Sequence, residues 1–278
     1  KDMFYSLFDG EHCSSLSYSQ LLKESVEKHS ISDVGSSLLL SGGVDSSLLA
    51  SYSNDRTELF TVKWNDAEYD EFDNAHGIAT YLSRSLNAIT AEPGKFSSDL
   101  QEIVHSLGEP FADDSIMSLD AVLKAVKSKG EKVVLSGDAA DELFSGYNRY
   151  NIDLYLKLIP NFLLEIGIKR FSPDSLKYTQ IKKLIDLKNT NSIFERHYKI
   201  SQVVLNDIDR GKVIYTYENI SVDVINRMKV INRKSKTHWK NIFDLGFLIE
   251  GNMMVKGDRI SMKNSLELRV PFLDEYLV

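Results

Sequence analysis

The 278-residue sequence predicts an α/β fold: a parallel sheet with helices on both faces, followed by a C-terminal helical layer. Three observations predict it. Short apolar runs alternate with helical patterns through the first 150 residues. Two of those runs, Leu38-Leu39-Leu40 and Val133-Val134-Leu135, open into Ser-Gly turns with carboxylates close behind. Beyond Asn151 the strand-like runs give way to long Leu/Ile/Lys-rich stretches of helical period.

In chain order, Ser36-Ser37-Leu38-Leu39-Leu40 reads as the first strand, ended by Gly42-Gly43, and Ser46 to Tyr52 as a helix. Glu58-Leu59-Phe60-Thr61-Val62 is the second strand. Phe72 to Leu86 is the second helix, with Ala75, Ala79 and Leu82 on one face. Asn87 to Ala91 forms a third strand, Phe96–Leu107 and Ile116–Ser128 two further helices, and Gly130 stops the second of these. Lys132-Val133-Val134-Leu135 is the fourth strand. The expected division is a nucleotide-binding α/β core over 1–150 and a mainly helical part over 151–278. Five prolines are too few for a Pro-rich linker between them, and no internal repeat stands out.

Composition narrows the class. With 42% hydrophobic and 26% charged residues the chain is globular, not fibrous or disordered. No apolar run approaches the roughly 20 residues of a membrane-spanning helix, and Lys1-Asp2-Met3-Phe4-Tyr5 lacks the layout of a signal peptide. The single cysteine, Cys13, excludes an internal disulfide and a cysteine-rich zinc site, and points to a reducing, cytoplasmic setting. Because Cys13 is not the first residue, it does not read as the N-terminal nucleophile of a glutaminase. The six histidines form no ligand-spaced cluster. The net charge of −7 hides an asymmetry: residues 1–160 carry −13 and residues 161–240 carry +8. The basic charges are spread over 80 residues, as on a solvated helical surface rather than a nucleic-acid site.

Chemistry concentrates in Leu39-Leu40-Ser41-Gly42-Gly43-Val44-Asp45-Ser46-Ser47, a strand, a small-residue turn and a helix start. Glycines let backbone N–H groups approach a phosphate, and a helix N-terminus adds partial positive charge. Asp45 would repel phosphates unless a divalent cation lay between, which calls for Mg²⁺. A serine-capped tight turn uses the same residues, so local chemistry leaves both readings open. The loop is neither GxxxxGK[ST] nor GxGxxG. Ser136-Gly137-Asp138-Ala139-Ala140-Asp141-Glu142 repeats the theme at the end of the fourth strand, with an acidic helix start as its plainer reading.

The motif Ser41–Ser47 resembles the SGGxDSS pyrophosphate loop of ATP pyrophosphatases, the adenine nucleotide alpha hydrolase-like fold. Leu135–Tyr147 is similar to the LSGDGADELFGGY block of asparagine synthetases, with Ala139 and Ser145 in place of two glycines. Lys256–Asp274 is similar to the K-x-D-R-x-S-M-A-x-S-L-E-x-R-x-P-F-L-D block of the same family, with Lys263 in place of the alanine. Phe60-Thr61-Val62 with the acidic stretch to Glu71, and Glu109-Pro110-Phe111-Ala112-Asp113, agree with it. The resemblance runs in order from about Ser17 to Asp274 and is weakest over 151–240.

The resemblance implies a synthetase domain that binds ATP and Mg²⁺, adenylates the side-chain carboxylate of aspartate and transfers ammonia to it. It implies adenosine contacts from Leu39, Val62, Ser136 and Gly137, and a pyrophosphate cradle of Ser41, Gly42, Gly43, Ser46 and Ser47. It gives Mg²⁺ to Asp45 and Asp141, substrate orientation or proton transfer to Asp138, and charge neutralisation at the α-phosphate to Lys256. Glu267 and Arg269 read as a structural ion pair. It further implies a longer chain, of which these residues are a piece, and a glutaminase domain or subunit as ammonia source. The expected partners are therefore small molecules, that glutaminase and, by self-association, a homodimer; neither nucleic acid nor a membrane is expected. Competing readings are a ligase for another carboxylate (β-lactam-forming or sugar-amidating), a tRNA-acting enzyme using 161–240, and a non-catalytic homologue.

Overall fold

A computed structural model describes residues 16–64, 70–91, 93–109, 111, 113, 115–173, 175–201, 220–234 and 238–278. Cys13 lies outside them. The chain divides into two compact units, one ending at Ala140 and resuming at Gly246–Val278, the other spanning Asp141–Leu245.

The first unit opens with α1 (Tyr18–His29), started by a capping box in which Ser17 and Gln20 each bond the other's backbone. Then follow β1 (Ser36–Leu39), α2 (Val44–Tyr52), β2 (Glu58–Lys63), α3 (Phe72–Tyr81) and β3 (Leu86–Thr90). Next come α4 (Pro93–Leu107), α5 (Ile116–Ser128) and β4 (Val133–Leu135). The helix expected to reach Leu86 stops at Tyr81. Leu82 caps it, Ser83 turns through φ +55°, and Leu86 already begins β3.

The second unit is helical. Leading into it is α6 (Ala140–Phe144), followed by a 3₁₀ turn at Asn148–Asn151 and by α7 (Ile152–Leu158) and α8 (Asn161–Arg170). It continues through α9 (Leu176–Asn189), α10 (Ile193–Ser201), α11 (Ile220–Lys234) and α12 (Trp239–Asp244). Ile152, Leu156 and Leu187 form a small apolar cluster, flanked by Leu184 and Ile200. A polar knot accompanies it. The fully buried Asp244 accepts from the Tyr150 hydroxyl (2.7 Å) and Arg149 (3.0 Å) and pairs with His197 Nε2 (2.9 Å).

The chain then returns through a π-helical stretch, Leu245–Met253, to α13 (Met254–Lys263) and β5 (Glu267–Arg269). Strand β5 is not among the expected elements, so the part expected to be helical over 151–278 contains a strand and gives its last 33 residues to the sheet unit. The sheet has the order β3-β2-β1-β4-β5 and every pairing is parallel, as expected for the α/β class. Leu38 is held between Leu59 and Leu135, and Leu135 pairs on with Arg269. Interior β4 is buried along its whole length, the signature of a strand covered on both faces. One cover layer is α4, α5 and α13. Ile103, Leu107, Val122, Leu123, Val126 and Ile260 pack there on Phe60 and Val134. The chain runs from β1 outward to β3, then back across the sheet to β4. The order thus reverses between β1 and β4, which opens a crevice beyond their carboxyl ends.

Candidate functional site

A cavity of about 420 Å³ occupies that crevice, a volume in the range of small-molecule sites. The end of β1 contributes Leu39, Leu40, Ser41, Gly43, Asp45 and Ser46, and the end of β2 contributes Phe60 to Val62 with Trp64. From the end of β4 come Ser136, Gly137 and Asp138, and from α13 comes Lys256. Three sequence-distant motifs therefore meet at one place.

The glycine-serine loop is fixed by its own hydroxyls. Ser41 and Ser46 share a 2.9 Å bond between their Oγ atoms, and the Gly43 N–H donates to Ser41 Oγ (3.2 Å). Gly42 has φ +83°, and a Cβ there would lie 2.5 Å from the Ala75 nitrogen of α3. Glycine is needed at 42 for conformation and close packing. Gly42 itself is not among the lining residues, and neither is Ser47, whose hydroxyl donates to Gly43 O at 2.7 Å. Gly137 also approaches closely, since a Cβ would sit 3.2 Å from the Ser46 nitrogen. Ser136, expected at the ribose, donates its hydroxyl to Asp138 Oδ2 at 2.8 Å and so orients that carboxylate.

The residues fit a magnesium nucleotide. Gly43 is the N-cap of α2 and carries no side-chain oxygen to occupy the first helical amides, which leaves that dipole end to an anion. A Cβ on Gly43 would meet only Ser41 Oγ, at 3.4 Å. Leu39, Phe60, Val62, Leu119 and Val122 offer an apolar wall for a base, and Asp45 and Asp138 offer hard oxygen donors. Among the described residues no three His, Cys, Asp or Glu side chains gather into a cage. Mg²⁺ bound mainly through phosphates needs none. Asp141, the expected partner of Asp45, is the first residue of the second unit and is not a lining residue. Burial and the nearby Asp45 charge push the Tyr18 phenol of α1 up to about 12, so it stays a hydrogen-bond donor.

Lys256 is held at the cavity wall by Asp113 Oδ2 (2.9 Å) and Ser115 Oγ (2.8 Å). Burial pushes the Asp113 carboxyl up, but bonds from Ser115 and Lys256 outweigh it and leave it below the usual range. Asp113, which holds Lys256, and the lining residues Ser115, Ser118, Leu119, Val122, Trp64 and Glu71 carry no role that the sequence announces. The α5 residues were detectable as one helix face, since 115, 118, 119 and 122 follow the i, i+3, i+4, i+7 spacing. The expected Glu267–Arg269 pair is present at 2.9 Å, and Arg269 also donates to the carbonyls of His29 and Ile31.

Fold and cavity define the class: a parallel α/β protein with a glycine-serine loop at its switch point, facing a lysine from a late helix. The chain belongs to the asparagine synthase family, whose model matches residues 17–278. It is 32% identical over 270 residues to a Mycobacterium tuberculosis protein provisionally named a glutamine-hydrolyzing asparagine synthetase, covering 91% of this chain and 40% of that protein. It is 29% identical over 262 residues to glutamine-hydrolyzing asparagine synthetase 1 of Bacillus subtilis, covering 91% and 41%. It is 24% identical to the amidase chyE of Penicillium rubens over 298 residues, covering 92% and 44%. The chain thus spans about two fifths of the length of the curated relatives it matches. No helix among the described residues is long and apolar enough to cross a membrane.

Proposed function

We propose that this chain is the synthetase portion of an ATP-dependent amide ligase that converts aspartate to asparagine. The observation that supports it most is the meeting of the Ser41–Ser47 loop, Ser136–Asp138 and Lys256 around one cavity at the switch point. In the first step an oxygen of the acceptor's side-chain carboxylate attacks the α-phosphorus, the α–β bridging P–O bond breaks, and pyrophosphate leaves. In the second, ammonia attacks the acyl carbon, the C–O bond to AMP breaks, and the amide nitrogen loses a proton. Carboxylate is a poor electrophile, and the adenylate supplies a leaving group that bare carboxylate lacks.

Gly43 and the first amides of α2 hold the pyrophosphate end, helped by Ser41, Ser46 and Ser47. Leu39, Val62, Ser136 and Gly137 contact the adenosine. Asp45 would hold Mg²⁺ beside the phosphates, where the ion would offset their charge. Lys256 neutralises charge at the α-phosphate and at the tetrahedral centre that follows. Asp138, oriented by Ser136, positions the acceptor or takes the ammonia proton. A glutaminase part of the longer protein supplies the ammonia.

Asp45→Asn and Lys256→Ala each remove one of these groups while leaving the fold, so aspartate-dependent AMP formation should fall by about a hundredfold or more in the full-length natural polypeptide. Wild-type AMP production by both folded variants would sink the assignment. Replacing aspartate by a panel of other carboxylic acids tests the acceptor separately: a better substrate in the panel would redirect the reaction to that acid.

A further inference from the structure

Lys256 lies in the first turn of α13, and its ammonium has three N–H donors. Two are used, on Asp113 Oδ2 and Ser115 Oγ, and Lys256 itself lines the cavity. Asp113 divides its carboxylate between two tasks. Oδ2 accepts from Lys256, while Oδ1 accepts from both the backbone N–H (3.0 Å) and the hydroxyl (2.6 Å) of Ser115, the residue before α5. One turn further along α13, Arg259 donates to the Leu107 carbonyl and to Glu109 Oε1 (3.0 Å) at the end of α4. The α4–α5 connection is therefore gripped at both ends by one face of α13. The Lys256 side chain is 13% exposed, against 59% for the surface Lys28. A free lysine stem has several rotatable bonds and a correspondingly diffuse charge.

We propose that Asp113 is a positioning residue of this site: its Oδ2 holds the Lys256 ammonium at the cavity wall while its Oδ1, through Ser115, anchors the start of α5. The proposal rests on the reading that Lys256 acts on the nucleotide phosphates, and adds a residue that acts only through Lys256. It also explains the residue type. Asparagine at 113 could still accept from Ser115, but its NH₂ in place of Oδ2 cannot accept from an ammonium. Asp113→Asn therefore separates the two tasks, and Asp113→Ala removes both.

Two measurements decide it. In the nucleotide-free chain, the rate of trinitrobenzenesulfonate labelling at Lys256, read by peptide mass spectrometry, should rise several-fold in Asp113→Asn. Lys263 labelling should not change, and the thermal midpoint should stay within about 2 °C of wild type. An unchanged Lys256 rate would overturn the proposal. In the full-length natural polypeptide supplied with MgATP, L-aspartate and ammonium, Asp113→Asn should lower kcat for AMP formation by about tenfold or more with little change in the KM for ATP. Asp113→Glu should recover part of that loss. A raised KM with kcat intact would also overturn it. Absence of AMP formation in the wild type would count against the ligase reading instead, and the labelling result would still settle the ion pair.

Discussion

Ala139 and Ser145 both hold the backbone in the left-handed region, at φ +73° and +59°, and both stand where the family block carries glycine. A Cβ in that conformation costs about 1–2 kcal/mol, partly offset by the greater freedom glycine has when unfolded. Ala139→Gly should therefore stabilise the chain by about 0.5–1 kcal/mol, and Ser145→Gly by less, because Ser145 Oγ accepts from Asn241 Nδ2 at 2.9 Å; both are read as urea midpoints with unchanged slope. A fall in midpoint for both would show that these side chains make contacts outweighing the strain. At Gly42 the opposite substitution, to alanine, should destabilise, because a Cβ would strike the α3 backbone as well as strain φ. At this scale much of the site was legible, because Ser41, Gly43, Asp45, Ser136, Gly137, Asp138 and Lys256 sit in motifs whose residue types carry their own chemistry. The part played by Asp113 was not, since nothing within Glu109–Asp113 announces that its last residue meets a lysine 143 residues away.

Strand β5 and the π-helical stretch are the elements that sequence patterning missed. Three residues, Glu267–Arg269, are too short to show alternation. What makes them a strand is pairing with β4, a long-range event that local propensity does not encode. The π-helical Leu245–Met253 is an apolar stretch that reads as ordinary helix, because residue pattern does not separate i→i+5 from i→i+4 bonding over so few turns. Lys263, the departure from the family alanine, finds its explanation among the helices. Its ammonium reaches Asp120 Oδ1 at 3.0 Å, and that buried carboxylate also accepts from Asn264 (2.9 Å) and pairs with Lys124 (2.9 Å). The cluster ties α13 to α5. Lys263→Ala should cost about 1–2 kcal/mol, since Asp120 keeps two of its three partners. Equilibrium denaturation checks this, and Asp120→Asn in the Lys263→Ala background should recover part of the loss. A neutral Lys263→Ala would mean that the pair merely balances its desolvation.

Across the molecule, charge is organised by unit. Part of the positive excess over 161–240 is consumed internally: Arg196 and Lys240 both pair with Asp153, and Lys199 pairs with Asp186 and Glu195. Each unit holds a buried carboxylate below the usual range, Asp120 in the first and Asp244 in the second. In both, desolvation pushes upward but is outweighed, by bonds from Asn264, Lys124 and Lys263 at Asp120 and from His197, Tyr150 and Arg149 at Asp244. A depressed carboxyl contributes stability in full above its unfolded pKa of about 3.9 and loses it as pH falls through the lower folded value. The thermal midpoint should accordingly drop as the pH is taken below about 4, and less steeply in Asp120→Asn. The proposed reaction cuts the α–β bridge of ATP. A ³¹P NMR spectrum of the full-length natural polypeptide with MgATP, L-aspartate and ammonium should show AMP and pyrophosphate accumulating in step with asparagine. Accumulation of ADP and orthophosphate instead would contradict it.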